Sequence, residues 1–207
     1  MVDNIYVGKL ISLDGPNGVG KSTLIEKLKE RLELKEYQVY VTKEPTDTEL
    51  GKFVRSYAEE HGGISLACMV AADRYEHLIN EIIPQLKEGK IVIADRYILS
   101  SLILQRMDKV RSTFILNLNS EILKPDLQIA VFAKEEIIQK RLAERETLTR
   151  FEKDNQSSYE LKYLEDGVRL LKERGVEVLR IVNNDSLIEN VEKMVVEIIG
   201  LYGEIYD

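Results

Sequence analysis

Eight consecutive residues near the amino terminus have the types and spacing of a phosphate-binding loop (P-loop). The stretch Gly15-Pro16-Asn17-Gly18-Val19-Gly20-Lys21-Ser22 fits the pattern G-x-x-x-x-G-K-[ST] at every fixed position. Its glycines let successive backbone N–H groups converge on an anion, and the helix that follows adds its partial positive charge. We predict that Lys21 reaches the β- and γ-phosphates of a nucleoside triphosphate, most simply ATP, and that the Ser22 hydroxyl binds Mg²⁺. The predicted ATP-binding residues of this stretch are Gly15, Pro16, Asn17, Gly18, Val19, Gly20, Lys21, Ser22 and Thr23.

A second polar group follows an apolar stretch in the middle of the chain. Residues 91–94 read Ile-Val-Ile-Ala, as in a strand buried on both faces of a parallel sheet, and they end at Asp95-Arg96. Because α/β sheets bind ligands at the carboxyl ends of their strands, we predict that Asp95 orients Mg²⁺ together with Ser22. A strand-end salt bridge between Asp95 and Arg96 is the alternative interpretation.

Cationic side chains are the next candidates, because phosphoryl transfer mainly requires alignment and neutralisation of charge on the moving phosphate. Three are expected near the carboxyl edge of the sheet: Lys43, Arg74 and Arg96. Three more surround the polar stretch after the fourth predicted strand: Arg141, Arg145 and Arg150. Arginine can hold two phosphate oxygens at once, which suits both acceptor fixation and transition-state stabilisation. For any single arginine, an ordinary solvated surface charge is the alternative.

The elements that must position these residues alternate between strand and helix. The predicted strands are residues 10–14, 39–42, 91–94, 127–132 and 176–182. The predicted helices are residues 24–32, 50–57, 65–87, 99–123, 135–146, 157–173 and 188–198. Pro84 predicts a kink or break in the third helix, and Asp185 or Ser186 a cap on the last. The alternation predicts a three-layer α/β P-loop NTPase fold with a five-stranded, mainly parallel sheet flanked by helices.

The bulk composition narrows the class of protein. The 207 residues fit a single domain, and the net charge of −7 gives no basic footprint for nucleic acid. One cysteine, Cys68, excludes an internal disulfide and suits a reducing compartment. No apolar run approaches the length of a membrane-spanning helix, so we expect a cytoplasmic protein without membrane contact.

Several separated blocks, taken in order over about residues 10–165, resemble the thymidylate kinase family. Beyond the P-loop, the matching blocks are Thr42-Lys43-Glu44-Pro45 with Leu50-Gly51, Ala71-Ala72-Asp73-Arg74 with His77, Ile83-Pro84-Gln85-Leu86 with Gly89, Asp95-Arg96-Tyr97-Ile98-Leu99-Ser100-Ser101 with Gln105, Pro125-Asp126-Leu127, and Arg141, Arg145 and Arg150-Phe151-Glu152. They are similar to that family's T-R-E-P, A-D-R-x-x-H, I-P-x-L-x-x-G and D-R-Y-x-x-S-S-x-A-Y-Q segments and to its arginine-bearing lid.

The resemblance implies a reversible transfer of the γ-phosphoryl group of ATP to a nucleoside monophosphate, by default dTMP giving dTDP, with Mg²⁺. It implies one kinase domain over residues 1–207, a lid at about residues 141–156 and a homodimer. The implied catalytic residues are Lys21, Asp95, Arg96 and Arg150, and the implied ATP-binding lid residues are Arg141 and Arg145. The implied acceptor-binding residues are Asn17, Lys43, Glu44, Pro45, Val70, Arg74, Arg96, Ser101, Leu104 and Gln105. Of these, Arg74, Arg96 and Lys43 are implied to hold the acceptor phosphate.

Three positions depart from the family pattern, and all concern the nucleoside of the acceptor. Val70 stands where the family has a stacking phenylalanine, Leu104 where it has a tyrosine, and Asn17 where it has an acidic residue. Gly18 occupies a position where some members carry an arginine, and members with glycine there use arginines of the lid. The accepted base is therefore left open by the sequence.

Two alternatives to a monophosphate kinase remain at this stage. In a deoxynucleoside kinase, Glu44 would act as a general base on a sugar hydroxyl. A P-loop binding protein or regulatory NTPase would lack small-molecule kinase activity altogether.

Overall fold

A computed structural model describes residues 1–152 and 157–203 of the chain. Its centre is a five-stranded sheet in which every pairing is parallel, with the strand order β2-β3-β1-β4-β5. The strands are β1 (Lys9–Asp14), β2 (Val39–Lys43), β3 (Ile91–Asp95), β4 (Leu127–Phe132) and β5 (Val178–Val182). The predicted α/β fold is confirmed, and the sheet is wholly rather than mainly parallel.

Helices cover both faces of this sheet and enclose two apolar cores. They are α1 (Lys21–Glu33), α2 (Glu49–Glu60), α3 (Gly63–His77), α4 (Ile83–Lys87), α5 (Ile98–Met107), α6 (Ser112–Leu118), α7 (Glu135–Ala143), α8 (Ser157–Lys172) and α9 (Leu187–Gly200). Because successive strand residues point to opposite faces, Leu10 packs with α3, α5 and α8, while Ile11 packs with α1, α7 and α9. Full burial of one such side chain contributes roughly 1.5–3 kcal/mol, so the central strands are held firmly from both sides.

The long helix predicted over residues 65–87 is continuous but not uniform. A π-helical turn (Leu78–Ile82) separates α3 from α4, and Pro84 is the second residue of α4. Proline lacks an N–H group and its ring crowds the carbonyl four residues earlier, and the wider π turn relieves both problems. The predicted irregularity in this helix is therefore present. It lies about one turn before Pro84 rather than at the proline itself.

The single helix predicted over residues 99–123 is wrong. It consists of α5 and α6, because Lys109 adopts a left-handed conformation with φ 65° and so cannot continue a right-handed helix. Smaller differences concern the ends of elements. The helix predicted from residue 135 ends at Ala143, and Ser186 precedes α9 without a capping hydrogen bond from its side chain.

The topology gathers the chemically interesting residues at one edge of the sheet. The connection that follows β1 runs to β2 on one side, whereas the connection that follows β3 runs to β4 on the other side. Such a switch point opens a crevice beyond the carboxyl ends of β1 and β3. The P-loop follows β1, Glu44 follows β2 and Asp95 ends β3. Within the described residues, no helix has both the length and the apolar character needed to cross a bilayer.

Candidate active site

The P-loop has a backbone shape that depends on glycine at two of its positions. A Cβ atom at Gly15 would lie 2.4 Å from the carbonyl oxygen of Val131 on β4, so only glycine fits against that strand. Gly20 has φ 94° and directly precedes α1, where a side chain would be strained. The first N–H groups of α1 are thereby presented at the carboxyl edge of the sheet, as an anion site requires.

Two side chains, one after β5 and one on α7, hold the loop in place. The carbonyl oxygen of Val19 accepts hydrogen bonds from Asn183 Nδ2 at 2.9 Å and from Arg141 Nη1 at 3.1 Å. Arg141 also donates to the carbonyls of Asn183 and Asn184. Arg141, predicted to bind ATP, thus lies against the P-loop with its guanidinium on backbone oxygens. Asn183 was not among the predicted site residues. Like Asp95 of β3, it is a polar residue at the carboxyl end of a strand, here β5.

Lys21 is buried, and its ammonium group lies over the loop. Its Nζ donates to the carbonyl oxygens of Gly15 and Pro16, each at 2.9 Å. Burial, and then the positive charge of Arg96, lower the pKa of Lys21 from 10.5 to about 7, while nearby carboxylates oppose part of this shift. A bound triphosphate would place negative charge next to this buried ammonium group and so stabilise its protonated form.

Asp95 and Ser22 line the same groove beside the loop and together fit a hydrated magnesium ion. Both line a groove of about 500 Å³ between α1 and β2. The Oδ1 atom of Asp95 is buried and has no hydrogen-bond partner among the described residues. Mg²⁺ is usually held by one or two carboxylates together with substrate phosphates and waters, so one acceptor of this kind suits it. Among the described residues Asp95 forms no ion pair with Arg96, contrary to the alternative of a strand-end salt bridge.

Arg96 is fixed in an unusual backbone conformation that aims its side chain at the loop. Its φ of 74° is left-handed, which is uncommon for a residue with a side chain. Its guanidinium donates to Asn17 Oδ1 at 2.6 Å and to Ser100 Oγ at 3.3 Å. The buried carboxylate of Asp14 accepts from the backbone N–H groups of Tyr97 and Ser100, each at 2.9 Å, and so anchors the segment that follows Arg96. Asp14 was also missed by the sequence analysis.

Asn17 links the P-loop to a buried carboxylate as well as to Arg96. Its backbone N–H donates to Glu160 Oε2 at 2.9 Å. Burial raises the pKa of Glu160, while this hydrogen bond and the charges of Arg96 and Lys21 oppose the rise. A carboxyl group, which position 17 lacks, is therefore present nearby on α8.

A cavity of about 410 Å³ opens beside the P-loop and is called here the acceptor cavity. It is lined by Asn17, Lys43, Glu44, Pro45, Asp47, Val54, Arg55, Ala58, Glu59, Leu66, Val70, Arg74, Asp95, Arg96, Ser100, Ser101, Leu104, Gln105, Thr149 and Phe151. All ten predicted acceptor-binding residues are in this set. Its volume lies in the usual range for small-molecule sites.

Arg74 lies at the buried end of this cavity, and most of its N–H groups already donate hydrogen bonds to the protein. It donates to Glu44 Oε2 and Asn119 Oδ1, each at 2.8 Å, and to the Tyr97 carbonyl and Ser101 Oγ. Four of its five N–H groups are thus used, and one remains. Lys43 is different, because its exposed ammonium pairs with a surface carboxylate.

Two further polar side chains of the cavity constrain what it can do. The Glu44 carboxylate is buried, and its Oε1 lies 3.3 Å from Nδ1 of His77 while its Oε2 accepts from Arg74. Both oxygens therefore have protein partners. Gln105 is also buried, and its Oε1 atom has no hydrogen-bond partner among the described residues. This amide oxygen is an acceptor in need of a donor.

The remaining predicted lid residues contact protein carboxylates. Arg150 makes a bidentate pair with Asp108 at the end of α5, at 2.8 and 2.9 Å. Arg145 Nη1 donates to Glu152 Oε1 at 2.5 Å. The predicted lid, residues 141–156, is described up to residue 152, and residues 153–156 lie outside the described part of the chain.

Comparisons with known proteins agree with this arrangement. The sequence profile of the family described as thymidylate kinase matches residues 13–195. A probable thymidylate kinase of Pyrococcus horikoshii is 38% identical, with 93% of this chain and 96% of the relative covered. A probable thymidylate kinase of Caldivirga maquilingensis is 35% identical, with 84% and 87% covered. A thymidylate kinase of Caldicellulosiruptor saccharolyticus is 42% identical, with 65% and 69% covered. The chain belongs to the thymidylate kinase family.

Proposed function

We propose that this protein transfers the γ-phosphoryl group of MgATP to dTMP and so forms dTDP. The observation that carries the proposal is the junction at Asp95-Arg96. There, a P-loop with a buried lysine adjoins a separate cavity that is lined by Arg96 and Lys43 and by buried polar side chains. Two anionic reactants can thereby be brought into line across one strand end, as phosphoryl transfer requires. Membership of the thymidylate kinase family supports the same reaction.

In this proposal the donor half of the site consists of the P-loop, Lys21, Ser22 and Asp95. Backbone N–H groups at the start of α1 hold the phosphates, and Lys21 neutralises the charge that develops on them. Mg²⁺ bound by Ser22 and oriented by Asp95 would add positive charge beside the transferred group. Arg141 contributes by bracing the loop through Val19.

The acceptor phosphate is assigned to Arg96, with Lys43 at the rim of the cavity. Arg96 donates only to neutral groups, Asn17 and Ser100, so a phosphate can replace or join these partners at little electrostatic cost. Arg74 is a weaker candidate for the phosphate, because four of its five N–H groups are engaged by the protein. We therefore assign Arg74 to the nucleoside.

The polar end of the cavity can pair with the imide edge of a base. The remaining N–H of Arg74 is a donor, and Gln105 Oε1 is an acceptor without a partner among the described residues. Thymine and uracil offer an N–H beside a carbonyl oxygen, which match this acceptor and this donor. A base that leaves either buried group unpaired loses about 1–3 kcal/mol for each unsatisfied group. These two side chains are therefore assigned to the base of dTMP.

Membership of the thymidylate kinase family disfavours the deoxynucleoside kinase alternative. The two oxygens of the Glu44 carboxylate contact Arg74 and His77, so we assign Glu44 to holding these side chains rather than to proton abstraction. A regulatory NTPase has no need for a second cavity beside the P-loop. A single assay distinguishes all three functions.

The test is an ADP-release screen over dTMP, dUMP, dCMP, dGMP, dAMP and thymidine, with Lys21→Ala as the negative control. We expect ADP release to depend on dTMP and, more weakly, on dUMP. Faster turnover with thymidine than with dTMP would support the deoxynucleoside kinase. Slow ATP hydrolysis that no acceptor changes would support the regulatory NTPase.

We further propose, from family resemblance, a single kinase domain, a lid over about residues 141–156, a homodimer and a cytoplasmic location. Light scattering of the purified protein tests the dimer. A monomeric mass at assay concentrations would contradict it.

A further inference from the structure

We infer that Phe151 supplies the aromatic wall against which the base of the acceptor lies. The inference rests on the proposed function, because it requires that the acceptor cavity bind a nucleotide. It concerns a residue of the lid rather than the two positions, on α3 and α5, where the sequence lacks an expected aromatic ring.

The apolar part of the acceptor cavity is otherwise aliphatic. Val54 and Leu66 line it from α2 and α3. Val70 stands where the family has a stacking phenylalanine, and Leu104 stands where it has a tyrosine. Among the described residues that line the cavity, Phe151 is the sole aromatic one. Aliphatic side chains bury a base, but they do not offer the flat face on which a base stacks.

The position of Phe151 is fixed by its neighbour Arg150. The Arg150 guanidinium pairs with both oxygens of Asp108, and its Nε donates to the Ala58 carbonyl at 2.7 Å. Its backbone N–H donates to Glu59. These contacts hold the lid against the ends of α2 and α5, which border the cavity. Arg150 therefore anchors the lid in this arrangement.

The turn that carries Phe151 is also closed from its other side. Glu152 is buried, and its carboxylate accepts from the backbone N–H of Thr149 at 2.9 Å and from Arg145. Room for the Arg150–Asp108 pair depends on Gly62, where a Cβ atom would lie 2.7 Å from the Asp108 carboxylate. A ring carried by a turn held at both ends loses little freedom when a ligand binds.

The guanidinium of Arg150 also sets the electrostatics of the ring. Its central carbon lies 4.2 Å from the ring centroid of Phe151, so a cation covers one face of the ring. A base in the acceptor cavity would lie against this ring, with its polar edge towards Arg74 and Gln105, which line the same cavity.

The test measures binding of dTMP and of MgATP separately by isothermal titration calorimetry in Phe151→Ala and Phe151→Tyr. Stacking on an aromatic side chain is worth roughly 5- to 160-fold in affinity. We expect Phe151→Ala to raise the Kd for dTMP by about this factor and to leave the Kd for MgATP within about twofold. Phe151→Tyr keeps the ring and should stay close to wild type. Since stacking acts on any base, the ratio of the dTMP and dUMP affinities should not change.

The matched control is Tyr6→Ala. Tyr6 is also a partly buried aromatic residue with a cation, Lys87, over its ring, but it precedes β1 at the opposite end of the sheet. Its loss should not change either Kd, and thermal unfolding of each variant separates misfolding from a local effect. Asp108→Asn replaces one of the two carboxylate oxygens that accept hydrogen bonds from Arg150. This substitution should weaken dTMP binding when Phe151 is present and should have no further effect when it is combined with Phe151→Ala.

An unchanged Kd for dTMP in Phe151→Ala, with wild-type protein that phosphorylates dTMP, would overturn the inference and leave the proposed function intact. Equal weakening of MgATP would overturn it as well. Wild-type protein that phosphorylates no nucleoside monophosphate would overturn the proposed function itself, and this inference with it.

Discussion

The stability of the ligand-free protein should rise between pH 7 and pH 9 because of a single buried side chain. Burial lowers the pKa of Lys21 in the folded protein to about 7, from 10.5. Between these two values the unfolded chain binds one proton more than the folded protein, so raising the pH favours the folded state. The slope approaches about 1.4 kcal/mol per pH unit. Since Lys21 is half titrated near pH 7, the integrated gain by pH 9 is about 2 kcal/mol.

Urea denaturation at pH 7, 8 and 9 measures this gain, with Lys21→Met as the perturbation. Methionine has a similar length and no charge, so the variant should lack the contribution of Lys21 to the slope. Lys29→Met, which removes a half-exposed lysine of the same helix, is the matched control and should retain the wild-type slope. Parallel stability curves for wild type and Lys21→Met would refute the reasoning.

Binding of MgATP should reverse the titration of Lys21. A triphosphate next to Nζ favours the charged form, so binding above pH 7 should take up close to one proton. Calorimetric titrations in two buffers with different enthalpies of ionisation measure that uptake. Proton uptake in Lys21→Met equal to that of wild type would show that another group is responsible.

Three further substitutions test other parts of the site and the core. Arg96→Ala should lower kcat/KM for dTMP about 10- to 100-fold through lost charge-assisted hydrogen bonds, and equal weakening of MgATP binding would contradict its assignment. Asp95→Asn should raise the Mg²⁺ concentration for half-maximal rate about 10- to 100-fold, and an unchanged Mg²⁺ dependence would exclude it as a metal-orienting residue. Leu28→Ala removes a fully buried side chain of α1 and should lower the free energy of unfolding by about 2–5 kcal/mol in urea. A loss below about 1 kcal/mol would mean that this core collapses around the cavity.

The sequence predicts best what depends on neighbours in the chain. The P-loop is contiguous, and the run of residues 91–94 carries its own signature of a doubly buried strand. Polar residues at strand ends follow from the same rule, which would also have identified Asp14 and Asn183 had it been applied to β1 and β5. The end of α5 was missed because nothing in the local pattern indicates a left-handed Lys109.

The sequence predicts least about which partner each charge takes. Arg150 pairs with Asp108 over a separation of 42 residues, and Asn183 reaches Val19 over 164. Such contacts depend on how the helices pack, so residue type and spacing cannot show that the guanidiniums of Arg74 and Arg141 are already engaged by the protein. The roles of these arginines therefore depend on contacts that only the folded chain shows.

Asn17 makes the two halves of the site mutually dependent. Its main chain belongs to the donor loop, while its side-chain oxygen holds the Arg96 guanidinium at 2.6 Å. Binding of dTMP that moves Arg96 also moves Asn17 of the P-loop, and binding of ATP that moves the P-loop also moves Arg96. Thermodynamic reciprocity then requires that each substrate alter the affinity of the other by the same factor. Titrating dTMP with and without a non-hydrolysable ATP analogue gives that factor, and Asn17→Ala should bring it towards one.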